Sequence, residues 1–169
     1  MDAYVNDGAP TTPAPNPVGL LTGANWPGGS GFTRAFVAYY AIPRNAVKAV
    51  LTQTVSTRND GIGGFFVAHR YLQPINFDTV TWNTLPGVYG TNVSIPYADM
   101  QNLTGSSLGV SIEMDMTVLM DDARRAGLGY LQFVFLGAGN NGNTITWGGR
   151  TEPLLARRPY MTYTLRDDR

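Results

Sequence analysis

Alternation of apolar and polar residues at every second position is the feature that most limits what this chain can become. In the run GVSIEMDM, residues 109–116, Val110, Ile112, Met114 and Met116 alternate with Ser111, Glu113 and Asp115. Successive side chains of a β-strand point to opposite faces, so such a run puts apolar groups on one side and acids on the other. The runs TRAFVAYYAI (33–42), AVKAVLTQTV (46–55), FFVAHRY (65–71), YLQFVFL (130–136), TITWGG (144–149) and YMTYTL (160–165) are rich in β-branched and aromatic residues. Clusters of Gly, Pro and Asn separate most of them. Many short strands between frequent turns predict an all-β protein, an antiparallel sandwich or jelly roll.

One segment departs from this period. MTVLMDDARRAG (116–127) carries Val118, Leu119 and Met120 early, acids in the middle, Arg124 and Arg125 late, and Gly127 as a stop. It predicts one short helix over 116–127, with its arginines at the negative end of the helix dipole. The start of the chain, with Pro10, Pro13, Pro15 and Pro17, predicts an extended Pro-rich N-terminal arm, because proline donates nothing to a central ladder. At 169 residues a single domain is expected: a first strand and arm over 1–20, and a sandwich body over 32–165. An arm of this kind is expected to lie on neighbouring subunits, so that deleting residues 2–17 leaves the body largely intact.

Charge and composition exclude several functions. Twelve basic and twelve acidic residues cancel, and no block of like charge biases either half, so neither nucleic acid nor an anionic membrane is an expected partner. Charged residues are only 14% of the chain, against ~25% in ordinary soluble domains, which suits a turn-rich β protein with 20 Gly and 11 Pro. The absence of cysteine removes disulfides, thiolate metal sites and cysteine nucleophiles. No signal peptide is recognisable and no apolar run is long enough to span a bilayer, so synthesis in a cytoplasm is expected.

Each candidate for chemistry has a plain structural alternative that fits better. GSSLG (105–109) matches the nucleophile-elbow pattern around Ser107, but a strand rather than a helix should follow, and the sole histidine, His69, precedes it. A hairpin turn is the expectation there. His69 lacks companions for a metal site and is expected to be a packed or interface histidine. The pairs Asp121/Asp122 and Asp167/Asp168 are sequence neighbours that cannot face each other across a glycosidic bond. PGGSG (27–31) and GIGG (61–64) lack what a phosphate loop needs and are expected to be turns. No catalytic residue, cofactor or metal site is therefore expected. Trp26, in a loop between Asn25 and Pro27, is the aromatic best suited to exposure, and Asn25 with Trp26 forms a candidate binding surface whose alternative is core packing.

Several segments, in order, resemble a known family. DAYVNDGAPTT, TRAFVAYYAIP, AVKAVLTQTV, AHRYLQPINFDTVTWNTLP, LGVSIEMDMTVLMDDARRAGLGYLQFVF and TITWGGRTEPLLARRPYMTYTL are similar to successive pieces of the DNRLRE domains, secreted β-jelly rolls related to some carbohydrate-binding modules. The resemblance covers nearly the whole chain. It implies a jelly-roll fold and a binding or structural role without catalytic residues, with Trp82, Asn83, Arg150 and Glu152 at recurring structural motif positions. TVTWNTLP (79–86) is expected to be a strand that runs into a turn, with Trp82 covering one end of the core and Asn83 tying the turn through its amide.

The expected function is that of a non-enzymatic structural or binding protein. The first reading is a bacteriophage virion protein: a decoration or cement protein of the capsid, or a head or tail fibre component. It would be made in the host cytoplasm, be located in the virion, and bind the major capsid or another virion protein as a dimer or trimer. The alternative is a carbohydrate-binding module of an exported protein, extracellular and directed at polysaccharide.

Overall fold

A computed structural model describes residues 1–6, 11–13, 19–23, 34–58, 65–85, 92–100, 109–138 and 144–167. These form ten strands, one α-helix and one 3-10 turn. In chain order the elements are β1 (Asp2–Asn6), β2 (Gly19–Gly23), β3 (Arg34–Ala41), β4 (Ala46–Arg58), β5 (Phe65–Tyr71), β6 (Val93–Met100), β7 (Ser111–Asp115), α1 (Thr117–Arg125), β8 (Tyr130–Ala138), β9 (Thr144–Gly148), the 3-10 turn (Leu155–Arg157) and β10 (Tyr160–Leu165). All strand pairings are antiparallel. The protein is an all-β sandwich with one short helix.

The layers follow from the pairings. One layer runs β9-β2-β3-β8-β5-β6, with β1 lying beside β3 in the register Asp2–Ala38 to Asn6–Arg34. The other is built on the first part of β4, which carries β10 on one side and β7 on the other. From Val55 onward β4 pairs instead with β9, with a register shift between Val55 and Thr57, so one thirteen-residue strand serves both layers. A strand that changes sheets at a bulge is how a sandwich turns a corner. Its middle residues Thr52, Gln53 and Thr54 are all buried despite being polar, and the Thr54 and Ser111 hydroxyls pair at 2.8 Å.

The main core fills the space between the layers. Leu51 of β4 and its register partner Met114 of β7 face Phe133 and Phe135 of β8 and Trp147 of β9, with Trp147 edge-on to Phe135 at 5.5 Å. Helix α1 adds Leu119, Met120 and Ala123 to the same core. Its entry is pinned to β4: the Met116 N–H donates to the Ala49 carbonyl at 2.8 Å, and the Ala49 N–H donates to the Thr117 hydroxyl at 3.1 Å. Its exit is a Schellman turn, in which Gly127 N–H reaches Arg124 O and Leu128 N–H reaches Ala123 O. Gly127 sits at φ 76°, the left-handed conformation that a glycine adopts without cost.

A second, smaller core lies on the outer face of the larger layer. Ala3 of β1, Tyr71 of β5 and Val134 of β8 are covered there by Phe77, Val80 and Leu85 from the connection between β5 and β6. Gln132 of β8 anchors this cover, accepting from Ile75 N–H at 3.1 Å and donating through Nε2 to the Gln73 carbonyl. Residues 79–85, expected to be a strand that runs into a turn, contain no strand: one turn ends at Thr79 and a second spans 82–84. Trp82 packs, half-buried, against this second core rather than closing an end of the main one. The clasp of the turn is also different. Thr81 N–H donates to the Thr84 hydroxyl at 2.8 Å, and the Thr84 hydroxyl reaches back to the Thr81 carbonyl. Asn83 is exposed and makes no side-chain hydrogen bond among the described residues.

The N-terminal residues are more embedded than a free arm implies. Asp2 and Ala3 are buried, and β1 is a full member of the larger layer. Pro10, Pro15 and Pro17 lie outside the described residues, as do Asn25, Trp26, Pro86, Ser107 and the glycine-rich stretches at 27–31 and 61–64. Among the described residues, no helix is long and apolar enough to cross a membrane.

Candidate functional site

The motif positions Arg150 and Glu152 meet the start of the chain. The Arg150 N–H donates to Asp2 Oδ2 at 2.9 Å, while the Arg150 side chain faces solvent. Glu152 is buried, closes a turn through its N–H to Gly149 O, and receives Arg158 Nε on its carbonyl at 2.7 Å. The turn presses closely on β9: a Cβ at Gly148 would overlap the Arg157 carbonyl oxygen. These groups bond to one another and to the backbone. Asn83 and Trp82 stand with the second core, apart from this turn.

The surface feature with a shape of its own is the edge of the larger layer. Strand β6 ends the strand order. Opposite Arg70 alone, between the pairs His69–Tyr97 and Tyr71–Val93, β6 places Ser94, Ile95 and Pro96. Proline has no N–H to give the ladder, and the surplus backbone bulges outward. Ser94 is turned inward and locks the bulge: its hydroxyl accepts from Arg70 N–H at 3.0 Å and donates to the Pro96 carbonyl at 2.6 Å. His69 Nδ1 donates to the Ser94 carbonyl at 2.9 Å, which assigns the ring hydrogen to Nδ1.

Two apolar side chains are thereby presented to water. Ile95 at the bulge apex is 95% exposed and Tyr97 55% exposed, with the Tyr97 ring 5.6 Å from that of His69. The platform beneath is rigid, because Arg70 Nε donates to Asp122 Oδ2 of α1 at 2.6 Å, a pair largely shielded from solvent. Asp122 is thus committed to holding the helix on β5, and its neighbour Asp121 is exposed. Among the described residues, no group of three or more His, Asp or Glu gathers to hold a metal ion. The bulge was not read from the sequence, although Pro96 inside the apolar run VSIPY is the signal that marks an edge strand.

Matched against models of protein families and against curated proteins, the chain finds no counterpart in either comparison.

Proposed function

We propose that the protein is a non-enzymatic structural module that docks on a larger protein assembly, as a decoration or cement subunit of a bacteriophage shell or as a component of its fibres. The observation that carries this reading is Ile95, held almost wholly in water by a bulge that Ser94 and the Arg70–Asp122 pair make rigid. An isolated exposed apolar residue is ordinary. One mounted on a locked bulge beside an exposed tyrosine is shaped to fill a pocket in a partner, and bulges at sheet edges commonly aim a side chain in this way. The neutral net charge supports a protein partner over nucleic acid or membrane. The virion as the assembly rests on the sequence reading of a compact β module with neutral net charge.

The exposed aromatics among the described residues favour this reading over polysaccharide binding. Tyr97 and Tyr160 lie on β6 and β10, at the two ends of the strand order, and do not form a row on which sugar rings stack. Replacing Ile95 with Asp tests the proposal. Binding of the full chain to particles purified from lysates that contain it should fall about tenfold or more, the worth of one buried aliphatic side chain, with thermal stability unchanged. Full occupancy of the particles by Ile95→Asp defeats the proposal.

A further inference from the structure

A second region of the surface gathers positive charge, with no acid among the described residues that line it. The turn between β3 and β4, the last turn of α1 and the end of β10 enclose an open cleft of about 580 Å³, lined by Arg44, Asn45, Ala46, Val47, Arg124 and Arg166. Among the described residues, three guanidinium groups border it and no carboxylate does. Their convergence is built in. Arg166 N–H donates to Asn45 O at 2.8 Å and Asn45 Nδ2 donates to Arg166 O at 3.0 Å, which ties positions 121 residues apart. Arg124 forms the floor, its terminal nitrogens donating to the backbone carbonyls of Ala46, Pro43 and Arg44. Those carbonyls orient the guanidinium but carry no net charge to neutralise it.

Arg44 and Arg166 are exposed, and among the described residues their side chains make neither an ion pair nor a hydrogen bond. The nearby Tyr163 hydroxyl is already committed to the Ala41 carbonyl at 2.7 Å. Two exposed planar forks, unpaired among the described residues, beside a third cation held by carbonyls suit an oxyanion, which arginine binds through paired N–H donors. The cleft has the size of a small-molecule site. We infer that this cleft binds a small, multiply charged oxyanion, a phosphate or a polycarboxylate, between Arg44 and Arg166 over the Arg124 floor. The inference is independent of Ile95 and its bulge.

Titration of the isotope-labelled full chain with inorganic phosphate, and separately with citrate, reads the binding through backbone amide shifts. Sodium chloride of equal ionic strength is the control. Saturable shifts are expected at Asn45, Ala46, Val47 and Arg166, and the tighter of the two probes identifies the class of oxyanion. Arg44→Gln and Arg166→Gln each remove an exposed fork and should each weaken binding about tenfold, with thermal stability unchanged. Arg124 is left intact because it holds the turn. Shifts that chloride reproduces, or saturable binding that neither substitution weakens, overturn the inference.

Discussion

Asp2 shows how one residue sets a pH response. It is buried, and among the described residues only Oδ2 of its two carboxylate oxygens has a partner, the Arg150 N–H. Burial pushes its carboxyl above the ordinary 3.8, against the opposing pull of the Arg150 N–H, the Met1 ammonium and the Arg150 guanidinium. An acid that holds its proton more tightly in the folded chain contributes stability that is complete below about 3.8 and is lost as pH rises through the folded value. Asp2→Asn cannot ionise, so thermal melts should show it more stable than wild type near about pH 7, with the pH-dependent part of the gap closing toward about pH 3. A gap that does not change with pH assigns the effect to packing. Asp115 works in the opposite sense. Burial alone would raise its carboxyl, but hydrogen bonds from Thr117 and the charge of Lys48 outweigh burial and hold it below 3.8, so it adds stability above that value. At this scale the sequence was mute: nothing in DAYVN shows that its acid is buried, because the backbone N–H that it accepts, from Arg150, is 148 residues away.

Elements were the most legible level, and the reasons for success and failure are physical. The runs 65–71 and 160–165 coincide with β5 and β10, and 33–42, 46–55, 130–136 and 144–149 contain or closely bound β3, β4, β8 and β9. In β10 one face meets the core and the alternation survives, whereas β8, covered on both faces by the two cores, reads as a nearly continuous apolar run. The helix expected over 116–127 is α1, Thr117–Arg125, with Gly127 as its stop. Arg124 was read as complementing the helix dipole, yet its guanidinium serves the turn between β3 and β4, a contact set by tertiary packing. Strands β2 and β6 escaped notice because the first is short and bounded by glycine and the second is broken by Pro96. Residues 79–85 misled for a related reason: Val80, Trp82 and Leu85 are apolar because they cap a sheet face from outside, not because they belong to a strand. Since Trp82 is only half-buried, Trp82→Ala should lower stability by about 2 kcal/mol in urea unfolding, less than the ~3–5 expected of a fully enclosed tryptophan. A loss of the full size would mean that Trp82 supports more than the outer cover.

For the whole molecule, the fold class was readable and the role of the N-terminus was not. Proline content suggested an arm that could be cut away, but Ala3 is wholly buried and β1 pairs along five residues with β3. Deleting residues 2–6 exposes the rim of the second core and removes the acceptor of the Arg150 N–H. We expect a loss of at least about 3 kcal/mol in chemical denaturation, comparable to emptying a large core position. Stability equal to that of the intact chain would restore the dispensable arm. The locked bulge was beyond reach of the sequence because it needs the register of β5 against β6.

The shared strand β4 has a mechanical consequence. A sandwich whose sheets meet only through side chains can come apart along its apolar midplane, one sheet shearing off the other. Here that plane is stitched by continuous backbone, hydrogen-bonded to β7 and β10 on one side of Val55 and to β9 on the other. Neither sheet can peel away without breaking ladders in both. The protein should therefore yield to load as a single unit.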